Sequence, residues 1–266
     1  MPLWCDIGVN LFSSQFDADC EQVLQRARTA GVTQLVLIGS DIAESQQNIV
    51  FCRQHNGFFS TAGVHPHQAA QVSDAWLSDL KQLLTHSEVV ALGECGLDFN
   101  RDFSPRPLQQ KVFAEQLQLA KLSVKPVYLH ERDAFATQLA MLTEQQIQHG
   151  VAHCFTGDIL QVKAYLDLGL HIGITGWLCD ERRGDTLRQA LQYIPLDRLL
   201  LETDAPYLLP RDLHPKPASR RNEPAFLPHI ASVVASLRQL SIEALATQVL
   251  ANSQRLFGLP ALRGDI

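Results

Sequence analysis

Histidine and acidic side chains follow many of the short apolar runs in this sequence, and four of them have the chemistry of a divalent metal site. They are Glu94, His130, His153 and Asp204. Imidazole and carboxylate ligands together suit Zn²⁺, Mn²⁺ or Fe²⁺, and a carboxylate-rich mixture also accepts Mg²⁺. A cation held in this way lowers the pKa of a bound water and polarises a phosphoryl or carbonyl oxygen. Because the four residues are far apart in the sequence, they form one site only if the fold brings them together.

The chain alternates short apolar runs with amphipathic stretches. The apolar runs predict eight strands: Leu3–Val9, Gln34–Gly39, Phe58–Gly63, Val89–Gly93, Pro126–His130, Val151–Cys154, Leu170–Thr175 and Arg198–Thr203. The amphipathic stretches predict helices, among them Asp17–Ala30, Ala43–Gln54, Ser73–Leu84, Leu108–Leu122, Ala134–Gln148 and Gln161–Leu168. Glycines at the predicted helix ends indicate C-terminal caps; they are Gly31, Gly57, Gly150 and Gly169. Since the runs are apolar throughout, they indicate parallel strands covered by helices.

This order of elements predicts an α/β fold, a (β/α)8 TIM barrel that occupies residues 1–266 as a single domain. An open doubly wound sheet is the alternative. In a barrel, catalytic groups lie at the carboxyl ends of the strands. Polar residues follow six of the eight runs: Asp6, Asn10, His65, His67, Glu94, Asp98, His130, Arg132, His153, Glu202 and Asp204. Their placement favours the barrel, because closing the sheet gathers them around one mouth.

The composition excludes several classes of protein. The net charge is −6 and the pI is about 5.9, whereas duplex-DNA-binding domains are normally basic. No apolar run approaches the roughly 20 residues of a membrane helix, and the N-terminus lacks the features of a signal peptide. The six cysteines are scattered, with no C-x-x-C pair. We therefore expect reduced thiols, no membrane association and a cytoplasmic location.

One segment departs from the acidic composition. Between residues 211 and 221 the only acidic residue is Asp212. The cationic residues there are Arg211, Lys216, Arg220 and Arg221. Because the segment follows Asp204 closely, in a barrel it would overhang the mouth and could hold the phosphates of a nucleic-acid strand; a solvated surface is the alternative. Arg132, two residues after His130 on the same face of a strand, is a further candidate for a phosphate contact.

Four sequence blocks and one further run are characteristic of a known family. They are Gly63–His67 (GVHPH), Gly93–Asp98 (GECGLD), His153–Gly157 (HCFTG), Glu202–Pro210 (ETDAPYLLP) and Lys216–Pro224 (KPASRRNEP). Together they resemble the TatD-related deoxyribonucleases, over almost the whole chain from about Asp6 to Phe257. Two runs, Asp6–Leu11 and Gly176–Gly184, are most similar to the branch that gives the family its name.

The resemblance implies a metal-dependent barrel hydrolase of the amidohydrolase type. Members of the family are DNases with 3′-to-5′ exonuclease action on single strands, so single-stranded DNA is the expected substrate, RNA is a second candidate, and the implied role is DNA repair or degradation. The metal-ligand roles carry over to Glu94, His130, His153 and Asp204. Asp204 is either a further ligand or the base that takes a proton from water. His65 lies close to the metal, and Glu94, Asp204 and His65 form the expected catalytic set.

The first strand departs from the family pattern. Many relatives carry His-x-His there, whereas this chain has Gly8 and Asn10. Glycine offers no ligand and an amide oxygen is a poor one beside imidazole, so we expect a weakened or missing second metal position. A water-rich Mg²⁺ fits the remaining ligands best, with Mn²⁺ or Zn²⁺ as alternatives.

The sequence leaves some roles open. Trp177, after the seventh run, is a candidate for stacking on bases, whereas core packing is the favoured interpretation for Phe155 and Phe99. Glu202 either orients a ligand or is a structural carboxylate. Two other functions remain alternatives: a barrel hydrolase acting on an ester, lactone or amide, and a non-catalytic metal-binding scaffold. We expect the protein to be a monomer.

Overall fold

The computed structural model describes residues 2–261 and contains one sheet of eight parallel strands in sequence order. The strands are β1 Trp4–Val9, β2 Val32–Leu37, β3 Phe58–Ala62, β4 Val89–Asp98, β5 Val127–Arg132, β6 Gly150–Ala152, β7 His171–Ile174 and β8 Leu199–Leu201. The helices are α1 Cys20–Thr29, α2 Ile42–Gln54, α3 Trp76–Leu83, α4 Arg106–Ser123, α5 Phe135–Glu144, α6 Ile159–Asp167, α7 Asp185–Leu191, α8 Leu227–Arg238 and α9 Ile242–Phe257. The predicted (β/α)8 barrel is confirmed.

The barrel closes just beyond the end of β8. The backbone N–H of Asp204 donates to the carbonyl oxygen of Gly8 at 2.9 Å, and the N–H of Asn10 donates to the carbonyl oxygen of Ala205 at 2.8 Å. Val9 and Ala205 form a parallel bridge. The segment after the last strand thus completes the ring against the first strand.

Two hydrophobic clusters hold the barrel together. The larger one lies between the strands and the surrounding helices. The smaller one includes Val36, Tyr128, Val151 and Leu200, from four different strands, and the end of α9 at Phe257. Inward-facing side chains of this kind fill a TIM barrel as a packed core rather than a pore.

β4 is longer than predicted and continues through Asp98. Its backbone lies very close to β5 at two glycines with positive φ, Gly93 (147°) and Gly96 (145°). A Cβ at either position would clash with a carbonyl oxygen of β5, from Tyr128 or His130. Because these two glycines allow the close approach, one strand, β4, places both Glu94 and Asp98 beside the end of β5.

Two of the four predicted glycine caps are confirmed. Gly31 and Gly169 directly follow the C-cap residues of α1 and α6, with φ values of 86° and 89°, the left-handed conformation that favours glycine. The expectation for Gly57 was wrong, because α2 ends at Gln54 with an extended C-cap at His55, and Gly57 (φ 85°) lies in the turn before β3. The expectation for Gly150 was wrong, because this residue begins β6, where a Cβ would clash with the carbonyl oxygen of Val127.

Within residues 2–261, no individual helix has the length and hydropathy of a membrane span; the sharply bent pair Pro224–Arg238 and Ile242–Phe257 meets those criteria only when the two are taken together.

Candidate active site

Glu94 is the centre of the site at the carboxyl ends of the strands. One of its oxygens, Oε1, lies 2.9 Å from His130 Nδ1, 3.4 Å from His153 Nε2 and 3.6 Å from His65 Nε2. The carboxylate belongs to β4 and His130 belongs to β5, whereas His153 directly follows β6 and His65 lies in the loop after β3. The structure therefore brings together Glu94, His130 and His153, as the sequence predicted, and adds His65 to the same oxygen.

The charges of this group depend strongly on one another. Burial alone would raise the pKa of Glu94, but the neighbouring His65 and His153 hold it well below its usual value. Burial would likewise lower the pKa of His130, whereas hydrogen bonds to Asp98 and Glu94 raise it to about 9. For His65 burial prevails and its pKa falls to about 3. A buried carboxylate surrounded by imidazole nitrogens needs positive charge nearby, and a divalent cation held by the same atoms would supply it.

A second group of potential ligands lies on the β8 side of the site. His153, Cys154 and Asp204 place one ligand atom each within 4.8 Å of one another. Burial is the main reason that the pKa of Asp204 rises to about 7, with repulsion from Glu94 and Glu202 adding to it. A carboxyl group with a pKa near neutrality can exchange a proton with water, as a general base requires.

Glu202 fixes the orientation of His153. Its Oε2 accepts hydrogen bonds from His153 Nδ1 at 2.7 Å and from the Tyr128 hydroxyl at 2.9 Å. Its Oε1 accepts from the backbone N–H of Cys154 at 2.6 Å. Because Nδ1 donates to this carboxylate, Nε2 is left free to face Glu94. Of the two roles considered for Glu202, the geometry favours orienting a ligand.

The first strand contributes no imidazole. A Cβ on Gly8 would clash with the Glu202 carboxylate and the Tyr128 hydroxyl, so the buried network occupies the space that a side chain would need. The amide of Asn10 donates to Asp204 Oδ1 at 3.0 Å. The ligands missing from β1 are therefore replaced by a hydrogen-bonded network rather than by an alternative ligand.

The site opens into a cavity of about 540 Å³. Its lining includes one feature that sequence reasoning missed, an aromatic rim, and it includes His67, which the sequence placed at this mouth together with Asp98. Two aromatic side chains stand exposed at the rim, Phe103 (65% exposed) and Tyr207 (51% exposed). His67 Nε2 lies 2.7 Å from Asp98 Oδ2, which also lies 3.3 Å from His130 Nε2. Phe103 gave no signal in the sequence because only the loop after β4 determines that its ring faces the mouth.

The predicted substrate contacts divide into three groups. Arg132 lines the cavity, with its guanidinium 3.4 Å from Thr156 Oγ1. Trp177 is enclosed by cations, with the Arg132 guanidinium 5.4 Å and the Arg183 guanidinium 4.2 Å from its ring centre. Its ring faces are thus partly covered, which leaves less room for a base than the sequence suggested.

The third group is the basic segment. Arg211, Lys216 and Arg220, with Arg182, line a second cavity of about 760 Å³. Arg221 does not take part. Its guanidinium donates to Asp19 at 2.6 Å and to Glu223 at 2.7 Å, and only 20% of its side chain is exposed. The two adjacent arginines therefore have different surroundings, which the sequence could not show.

Phe155 and Phe99 pack as expected. Phe155 is 5% exposed and its ring centre lies 6.2 Å from that of Tyr165. Phe99 lies under the guanidinium of Arg106 at 4.5 Å.

A closed eight-stranded barrel with buried histidines and carboxylates at its carboxyl mouth defines the class of metal-dependent TIM-barrel hydrolases. The family model described as "TatD related DNase" matches residues 5–258, and the chain belongs to this family.

Curated relatives and solved structures agree with this assignment. The proteins named 3′-5′ ssDNA/RNA exonuclease TatD from Erwinia billingiae and Klebsiella pneumoniae are each 54% identical to this chain; the alignments cover 96% of it and 99% and 97% of the respective relatives. The crystal structure of the TatD homologue YJJV from Escherichia coli K12 is 30% identical, covers 97% of this chain and 98% of its own, and superposes with a TM-score of 0.88. A TatD family hydrolase from Entamoeba histolytica is 25% identical, covers 96% of this chain and 98% of its own, and has a TM-score of 0.89.

Proposed function

We propose that this protein is a metal-dependent 3′-5′ exonuclease that hydrolyses the phosphodiester bonds of single-stranded DNA and of RNA. The observation that carries the proposal is the convergence of three imidazoles on the Glu94 carboxylate inside a cavity with cationic and aromatic walls. The polarity and the substrates come from the names of relatives that match nearly full length.

The residues present fit a divalent cation. His65, Glu94 and His130 place one ligand atom each within 4.8 Å of one another, and His153, Cys154 and Asp204 form a second such group. His153 Nε2 lies 3.4 Å from Glu94 Oε1 and joins the two groups, from which Glu94, His130, His153 and Asp204 are the proposed ligands. A cation bound there would activate water and neutralise charge on the phosphate. Mg²⁺ fits a site that lacks β1 imidazoles and must keep several waters, whereas Mn²⁺ and Zn²⁺ are the alternatives.

The chain's own side chains have separate tasks in the reaction. Asp204, a buried carboxylate beside His153 and Cys154, is either a further ligand of the cation or the base that accepts a proton from the attacking water. Arg132 lies in the wall of the cavity, where its planar guanidinium can bind a phosphate oxygen pair. Glu202 and Tyr128 keep His153 in one tautomer and orientation.

The exposed aromatic rings give the site a means of binding unpaired bases. Phe103 and Tyr207 line the cavity mouth with more than half of each residue exposed. Aromatic platforms stack on bases of any sequence, and only unpaired bases expose their faces. This arrangement favours single strands over duplexes.

The second cavity favours a polyanion over a small ester, lactone or amide. Four cations line it, and a small neutral substrate would need none of them. The complete set of four ligand side chains argues against a non-catalytic scaffold. All six cysteines are free thiols, in keeping with a cytoplasmic location.

A labelled oligonucleotide tests the proposal. Single-stranded DNA is incubated with the dialysed protein in the presence of Mg²⁺, Mn²⁺ or a chelator. The same sequence as duplex DNA and as single-stranded RNA serves for comparison. We expect stepwise shortening of single strands from the 3′ end with either metal and none with the chelator. Cleavage that persists in the chelator, or hydrolysis of a simple lactone with no attack on the strand, would contradict it.

A further inference from the structure

A second cluster of metal-ligating side chains lies outside the active site. Cys179, Asp212 and His229 each place one ligand atom within 4.8 Å of the other two. Cys179 ends the short turn Gly176–Cys179 after β7, Asp212 belongs to the basic segment between β8 and α8, and His229 lies in the first turn of α8. None of the three lines the active-site cavity.

We propose that Cys179, Asp212 and His229 form a zinc site that ties the basic segment to the barrel. The three residues supply sulfur, oxygen and nitrogen from three separate elements, which is a ligand set that Zn²⁺ accepts and Mg²⁺ does not. Water is the fourth ligand, because Asp212 and His229 have side chains that are 40% and 28% exposed and leave the outer side of the cluster accessible.

The cluster is already arranged for binding. His229 Nε2 and Asp212 Oδ1 are 2.7 Å apart, and the buried Cys179 thiol faces the same carboxylate. Ligands at about 2.0–2.3 Å from a zinc ion lie roughly 3–4 Å from one another. A small movement of the exposed Asp212 side chain is therefore enough to admit the ion.

Binding is a simple exchange of a proton for a metal. In the free protein Cys179 is a buried free thiol. When Zn²⁺ binds, the S–H bond breaks, the proton goes to solvent and a zinc–thiolate bond forms. Two negative ligands and one neutral imidazole then balance the charge of the ion.

The site has a structural consequence for the nucleic-acid path. Asp212 is flanked by Arg211 and Leu213, which both line the basic cavity. An ion held by Asp212 would fix this part of the segment against α8 and the turn after β7. The effect on substrate rests on the proposed function, whereas the binding of the ion does not.

Titration of the dialysed full-length protein with Co²⁺, a spectroscopic substitute for Zn²⁺, tests the site. We expect a sulfur-to-cobalt charge-transfer band that disappears in Cys179→Ser. Asp212→Asn and His229→Gln should each weaken binding by about tenfold or more, because each removes a ligand. Cys154→Ser is the matched control, since Cys154 is the thiol beside the active site, and it should keep the band.

Two further measurements separate this site from its alternatives. Zn²⁺ should raise the thermal unfolding temperature of the wild type by more than that of Cys179→Ser, and similar unfolding temperatures without metal would show that the variant folds. Glu94→Gln should lose nuclease activity and keep the cobalt band, so the two proposals fail independently. The zinc site would be overturned by a missing band in the wild type, by a band unchanged in Cys179→Ser, or by a band lost in Cys154→Ser.

Discussion

At the scale of single residues, Glu94 is a buried carboxylate with three histidine neighbours. It is 6% exposed, and one of its oxygens faces three imidazole nitrogens. A neutral side chain of the same shape would leave those nitrogens without their shared partner and would remove the charge that attracts a cation.

Glu94→Gln should therefore abolish hydrolysis while leaving the barrel intact. We expect a loss of at least about a hundredfold in kcat, since metal binding and water activation depend on the same carboxylate. Glu181→Gln, at an exposed position after β7, is the control and should retain full activity. The assignment of the site is wrong if purified Glu94→Gln turns over at a rate close to that of the wild type.

Glu202 contacts the proposed metal ligand His153 and is not itself a proposed ligand. Glu202→Gln would lose the charge that holds His153 Nδ1 and the Tyr128 hydroxyl. We expect metal affinity to fall by about 10–100-fold, with activity partly restored at high metal concentration. Tyr128→Phe removes one of the two donors and should show a smaller effect. An activity loss in Glu202→Gln that added metal does not relieve would indicate a different role.

At the scale of elements, the segment between β8 and α8 contains two adjacent arginines with opposite roles. Arg220 lines the basic cavity, whereas Arg221 is held by Asp19 and Glu223. Arg220→Ala should weaken binding of single strands without lowering stability. The slope of log affinity against log salt should become shallower by roughly 0.7 per lost phosphate contact. An unchanged slope would leave Arg220 as part of a solvated surface.

Arg221→Ala should instead lower stability, in a pH-dependent way. The hydrogen bond from Arg221 is the main reason that the pKa of Asp19 falls from 3.8 to about 2. A carboxyl group whose pKa is lowered by folding stabilises the native state above its unfolded pKa, and this contribution disappears as the pH falls through the folded value. Thermal unfolding should show a difference between wild type and variant at neutral pH that narrows between pH 3.8 and about 2. A difference independent of pH would exclude this ion pair as its cause.

Elements also explain what the sequence could and could not predict. The carboxyl ends of parallel strands meet at one edge, so the position of Glu94, His130 and His153 after apolar runs was enough to predict their convergence. The different roles of Arg220 and Arg221 depend on Asp19, which lies 202 residues from Arg221 in the chain. The orientation of Phe103 depends on a loop whose conformation has no repeating pattern. Local patterns therefore predicted the strand ends and missed contacts made by loops.

At the scale of the whole molecule, the number of metal ions depends on which strands of the barrel contribute ligands. Gly8 leaves no room for a ligand beside Glu202 and Tyr128, so β1 adds none to the active site. Metal analysis of dialysed Cys179→Ser, in which the proposed zinc site is removed, counts the active-site ions alone. We expect no tightly retained zinc pair and activity that requires added Mg²⁺ or Mn²⁺. Two zinc ions retained through dialysis and sufficient for activity would contradict a single weakly held cation.

The closure of the ring also makes the active site depend on the last part of the barrel to be synthesised. Asp204 enters the site from the same backbone that bonds to Gly8, so its carboxylate and the seam of the barrel belong to one segment. A chain that ends before this residue would therefore lack the Asp204 carboxylate and the hydrogen bonds that close the ring.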